Sequence, residues 1–186
     1  MRVAFKEWAI VTDALLRGEQ IIILRKGGIA EGRGGFRPEH EQFWLFPTQF
    51  HQQRESVVPA AQARFDELAK SWPPADRVRI EGFATLTGWR KLDTLEEARK
   101  LSGQHIWRDE VIASRYEWGR EAGIYVLLVR INRLPAPVEL PVLPAYAGCK
   151  SWIELERDLP TDGAMPVLSD AEFAARVQQL HAALQS

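Results

Sequence analysis

Apolar positions along this chain fall into blocks whose periods predict a mixture of strands and helices. Residues 8–16 and 20–25 are two nearly continuous apolar, β-branched blocks separated by Arg17-Gly18-Glu19. Two antiparallel strands closed by a short glycine-containing turn are expected, with a helix as the alternative for the first block. Residues 26–35 carry five glycines in ten positions and no period, which predicts a loop whose backbone is free to approach a ligand. Gln42-Phe43-Trp44-Leu45-Phe46 then reads as a buried strand stopped by Pro47.

Helical spacing follows. Pro59 suits a first helical turn, and Ala61, Phe65, Leu68 and Trp72 recur at intervals of four, three and four before Pro73-Pro74. Val78, Ile80 and residues 83–86 predict a further strand. Thr94-Leu95-Glu96-Glu97 forms a capping box opening a short helix to about Leu101. Residues 106–118 fit a helix loosely, and residues 124–129 form the clearest strand, expected to be central. Prolines 135, 137, 141 and 144 predict an extended crossing segment without a regular ladder. Ser169 to Glu172 cap a last helix, over about 169–185, with Phe173, Val177, Leu180 and Leu184 on one face. The expectation is one α+β domain over 1–186, a mixed, mainly antiparallel sheet with packed helices.

Composition narrows the function classes. The 186 residues are 46% hydrophobic and 26% charged, in the ordinary globular range. Neither a run of about 18 apolar residues nor an N-terminal signal pattern is present, so a cytoplasmic protein without a membrane partner is expected. The single cysteine, Cys149, supports neither an intramolecular disulfide nor a cysteine zinc site. Net charge is −1, so binding to nucleic acid would depend on a local basic patch. Arginine outnumbers lysine threefold and seven tryptophans accompany it; arginine suits bidentate phosphate recognition and aromatic stacking, although a GC-rich genome produces the same bias.

Motif searches exclude several chemistries. No lysine has an acid two positions before it, as restriction-type nucleases need, and no phosphate loop or dinucleotide fingerprint occurs. His40-Glu41 with His51 lacks the spacing of a zinc hydrolase, so no metal site and no cofactor is assigned. Gly148-Cys149-Lys150-Ser151-Trp152 places a thiol beside a cation, but a buried inert cysteine is the simpler reading. Residues 24–28 and 44–47 resemble the opening of Nudix hydrolases over the first third of the chain. The helix after Pro59 lacks that family's Mg²⁺-binding glutamates, so its chemistry is not carried over.

Three stretches together carry a broader resemblance. They are Phe5-Lys6-Glu7-Trp8-Ala9 with Leu24-Arg25-Lys26-Gly27-Gly28-Ile29, then Phe43-Trp44-Leu45-Phe46-Pro47-Thr48 with His51-Gln52, and finally Gly148-Cys149-Lys150-Ser151-Trp152. With His105-Ile106-Trp107, Arg115-Tyr116, Trp118 and residues 127–130 they resemble the uncharacterised bacterial domain of unknown function 1802 family over about residues 5–155. That resemblance implies no activity. It implies an association of some members with restriction-endonuclease-like domains, and hence with nucleic-acid or defence-related work.

Three function classes follow. The first is a non-catalytic binding module for nucleic acid, nucleotide or another anionic ligand, using Arg25, Lys26, Arg115 and Lys150, with Trp107 or Trp118 for stacking. The second is a metal-independent enzyme in which His51 or His105 serves as general acid or base near Lys26 and Glu110. The third is a protein-interaction domain with a protein partner docked on the proline-rich segment. Periodicity assigns no oligomeric state.

Overall fold

The computed structural model describes residues 1–26, 38–49, 53–119, 122–148 and 150–185. In chain order the strands are β1 (Val3–Trp8), β2 (Ile22–Arg25), β3 (Gln42–Thr48), β4 (Arg77–Leu92), β5 (Ile124–Pro141), β6 (Trp152–Glu154) and β7 (Met165–Pro166). The helices are α1 (Ala9–Leu16), α2 (Pro59–Lys70), α3 (Leu95–Arg99), α4 (Asp109–Glu117) and α5 (Asp170–Gln185). The strands form one mixed sheet in the order β2-β5-β4-β3-β1-β6, and β7 pairs on β5 outside that path. β1 runs parallel to β3 and the other pairings of these strands are antiparallel, so the protein is of the α+β class. The glycine-rich loop expected over residues 26–35 lies, after Lys26, outside the described residues.

The first apolar block is not a strand of a hairpin. β1 occupies residues 3–8 and the rest of the block, Ala9–Leu16, is helix α1, buried at every position except Asp13. A helix buried all round has no polar face, so its sequence shows no 3.6-residue period to set it apart from a buried strand. Asp13 reaches outward to a paired contact with Arg64 of α2, at 2.9 and 2.6 Å. Gly18 therefore closes a helix. Its φ is 68°, its amide bonds the Leu15 carbonyl, and the Glu19 amide bonds the Ala14 carbonyl, the double closure of a Schellman end. β2 pairs with β5.

Three of the four prolines of the crossing segment, Pro135, Pro137 and Pro141, also sit inside a strand, and Pro144 opens a short 3-10 turn beyond it. β5 continues to Pro141, but between the pairs Gly82↔Arg133 and Ile80↔Val138 residues 134–137 of β5 stand opposite Glu81 alone. Pro135 and Pro137 fall in that bulge, where no ladder amide is required of them. A second register shift lies between Leu86 and Gly88. The long β4–β5 ribbon bends at these places and the sheet curls.

Alternation of side chains divides the interior. Phe5, Phe43 and Leu45 join the larger core with α1, β2 and the inner part of β5, whereas Ala4, Trp44 and Phe46 join a smaller core with Val78, Ile80 and Tyr146. The aromatic run of β3 is thus apolar on both faces because both faces are covered. Capping behaves as the sequence predicts: the Glu97 amide bonds Thr94 Oγ1 at 3.1 Å, and Ser169 and Glu172 bond reciprocally at the start of α5. No helix among the described residues is long and apolar enough to cross a membrane.

Gly82 marks the tightest point of the bend. A Cβ there would collide with the Asn132 carbonyl oxygen and come within 2.8 Å of Leu16 Cδ2, whereas one at Gly88 meets nothing nearer than Leu128 Cδ2 at 4.0 Å. Gly82→Ala is expected to cost about 2–3 kcal/mol by overpacking, and Gly88→Ala to stay within about 0.5 kcal/mol. Urea denaturation of the two variants checks this; equal losses would show that the bend is not so tightly packed.

Candidate functional site

The curl brings the ends of β1, β2 and β3 together with α4 and the residues before β6. By strand alternation Glu7 lies on the face of Phe5, toward the larger core, and it is only 1% exposed. Its Oε1 accepts the Trp8 amide at 2.7 Å, while Oε2 has no hydrogen-bond partner among the described residues. A buried carboxylate oxygen left unpaired is costly, so its retention calls for a compensating group. Thr48 Oγ1 donates to the Glu7 carbonyl at 3.1 Å, and Gln53 Nε2 donates to the Thr48 carbonyl at 2.8 Å. Gln53 is fully buried and its Oε1 also lacks a partner among the described residues.

Two guanidinium groups meet this strand end. Arg25, the last residue of β2, donates from Nε and Nη2 to Ser151 Oγ at 3.1 and 2.7 Å, with its guanidinium carbon 5.4 Å from the Phe5 ring centroid. Ser151 is itself held by β1, its carbonyl accepting the Lys6 amide at 2.8 Å. Arg115, from the last turn of α4, lies 4.0 Å from the Trp107 centroid and 5.1 Å from that of Trp8, and donates to the Leu24 carbonyl at 3.3 Å. Burial pulls the Arg115 guanidinium below its ordinary value; Glu7 opposes that shift and Arg25 adds to it. Glu7, Arg25 and Arg115 therefore share one electrostatic neighbourhood. Even so, neither arginine closes an ion pair with Glu7 or with any other described residue, in contrast to Arg64 with Asp13 or Arg90 with Glu97.

Lys26, one residue on, donates from Nζ to the carbonyls of Tyr116 at 2.8 Å and Gly123 at 2.9 Å. The ammonium thus sits against the last carbonyls of α4, where a helix end favours a cation, and it ties α4 to the start of β5.

The remaining sequence candidates are placed differently. Trp107 is 1% exposed, its ring taken by Arg115 and by the edge of Trp8 at a centroid distance of 4.5 Å. It orients a cation and offers no open face to a base. Trp118 is 54% exposed, but it lines an open groove with Asp109, Glu110, Glu117 and Arg99, whose acids repel an anion. Lys150 is exposed, beside Ser151 in the chain.

His105 and Glu110 are not partners. His105 is 6% exposed, its Nδ1 accepts the Trp107 amide at 3.2 Å and Nε2 has no partner among the described residues. Burial pushes its pKa down to about 4, with Asp109 opposing the shift. Glu110 stands in solvent on the first turn of α4, paired with Arg108 at 3.2 Å. Its pKa is lowered by its own backbone amide and then by Arg108. His51 and Cys149 lie outside the described residues. Among those described, no group of three or more metal-ligating side chains gathers.

Glu7, Gln53 and the Arg25–Ser151 contact are absent from the sequence-derived ligand set. Glu7 carries a usable signal, since two-residue alternation from Phe5 puts a carboxylate on an inward face. Gln53 and the partnership of Ser151 carry none, because both arise from tertiary closure.

The fold and site define a curled-sheet α+β protein with a partly buried cationic cluster at one end of its sheet. The family model "Domain of unknown function (DUF1802)" matches residues 4–179, and the chain belongs to that family. No curated protein matches the chain. Among solved structures it is similar to crystal structures of ASCH from Zymomonas mobilis. The unsubstituted protein is 13% identical, covering 97% of this chain and 93% of that one with a TM-score of 0.46. A serine-to-alanine mutant of it is 12% identical, covering 96% and 94% with a TM-score of 0.47.

The histidine yields a prediction with a definite sign. The unfolded ring titrates near 6.5 and the folded one near 4, so the stability from neutral His105 is complete above pH 6.5 and lost as pH falls from 6.5 to 4. The loss is expected to reach about 3 kcal/mol. Urea denaturation at pH 7 and pH 4.5 should show it, and His105→Gln should flatten that window; an unchanged pH dependence in the variant would refute the assignment.

Proposed function

We propose that this protein is a non-catalytic binding module for an anionic ligand, a nucleotide or nucleic acid, held by Arg25, Lys26 and Arg115. One observation carries the reading. Two guanidinium groups converge on one strand end, backed by aromatic rings, with most of their N–H donors unused and no carboxylate paired to them among the described residues. Each guanidinium has five donors; Arg25 uses two and Arg115 one. The rest suit the oxygens of a phosphate, which a planar fork binds in pairs.

Attraction would be local, because the net charge of −1 supplies no long-range pull. Aromatic backing holds the guanidinium groups in place before a ligand arrives, which reduces the ordering cost of binding. The arrangement favours binding over turnover: the described histidine of the enzyme reading is buried, neutral at pH 7 and remote from any carboxylate hydrogen bond.

Trp8 and Trp107 touch Arg115, so intrinsic fluorescence reports directly on the site. Titration with single-stranded and double-stranded oligonucleotides and with nucleoside monophosphates should give saturable quenching that weakens between about 50 and 200 mM salt. Arg25→Gln should lower affinity about tenfold and reduce the salt slope by about one. Absence of saturable binding, or an Arg25→Gln protein that binds as before, would refute the reading.

A further inference from the structure

Anion binding alone leaves Glu7 unexplained, because a carboxylate beside the seat of a phosphate repels it. Glu7 is 1% exposed and its Oε2 has no partner among the described residues. The cations are close but do not neutralise it directly. Arg25 lies over Phe5, two residues away on the same face of β1, and Arg115 lies over Trp8, whose amide binds the other oxygen of Glu7. Gln53 Oε1, buried and likewise without a partner among the described residues, is tethered to the same strand end through Thr48. Beside two cations with spare donors, this strand end therefore presents two acceptors that receive no hydrogen bond from the described residues.

A ligand that fits both halves must be bipolar, with an anionic group for the guanidiniums and an N–H donor for the carboxylate. We propose that Glu7 is a specificity-determining residue that accepts a hydrogen bond from the exocyclic amino group of a nucleobase. The ligand is then an amino-bearing nucleotide whose anionic group rests on Arg25 and Arg115. This rests on the binding-module reading above. Adenine, cytosine and guanine carry such an amino group. Uracil and hypoxanthine place a carbonyl oxygen where cytosine and adenine carry it, and so set oxygen against the carboxylate. A mismatch of this kind leaves buried polar groups unpaired and discriminates strongly.

The test compares CMP with UMP and AMP with IMP by tryptophan fluorescence, since each pair shares its phosphate and nearly its shape. The expected result is about tenfold tighter binding of CMP and AMP in the unmodified protein. In Glu7→Gln the ratio should narrow below about threefold while salt-sensitive binding persists. Equal affinities within both pairs, or an undiminished preference in Glu7→Gln, would overturn the role of Glu7 and leave the anion site standing. No binding by any of the four would overturn the inference, and the anion site falls with it if oligonucleotides do not bind either. Should Glu7→Gln melt early, the two pairs in the unmodified protein decide the matter alone.

Discussion

The bend in the β4–β5 ribbon is the constraint on which the remaining structure depends. Two register shifts, one absorbing residues 134–137 and one at Thr87, turn a flat antiparallel pair into a trough. That trough encloses α1, which is how a helix with a single outward side chain can be buried. It also carries β2, at one end of the strand order, toward β1 and β6 at the other, where Arg25 meets Ser151. Without the curl the two ends of the sheet would be separate edges, each with unpaired backbone groups. With it, the edges face one another across side chains instead of main-chain hydrogen bonds, and charged residues can collect in the gap.

The chemistry of that gap follows from incomplete closure. Arg115 is placed by α4 and by two indole rings, Arg25 by a serine hydroxyl and a phenyl ring, and Glu7 by its own strand. Each group is fixed by something other than an opposite charge. A buried ion pair would have satisfied the same residues at once, and none forms among the described residues. Positions held this firmly without mutual neutralisation are what a preorganised polar site requires.

Much of the fold was legible in the sequence wherever a segment had one exposed side. The face of α2, the capping boxes of α3 and α5 and the strands β4 and β5 all show a period or a cap that propensity and patterning reveal, while β3, covered on both faces, was legible as a short aromatic run beside a proline. In α1, buried on nearly every side, the pattern left strand and helix both open because the segment has no polar stripe. The prolines of β5 read as an interruption because a bulge that excuses them depends on the partner strand. Arg25, Lys26 and Arg115 stood out by charge beside strand and helix ends. What they contact did not, because Leu24, Ser151 and Tyr116 reach them only through closure of the sheet.

The pairing of β1 has a consequence for how the protein is made. β1, starting at Val3, lies between β3 and β6, and β6 ends at Glu154, so the first strand is flanked by one that lies far from it in sequence. Pairings of such sequence separation close slowly and late. β1 keeps one edge unpaired until the residues of β6 reach it. Glu7 and Ser151 are contributed from these two ends. The strand end that carries Glu7 is therefore among the last parts of the fold to close.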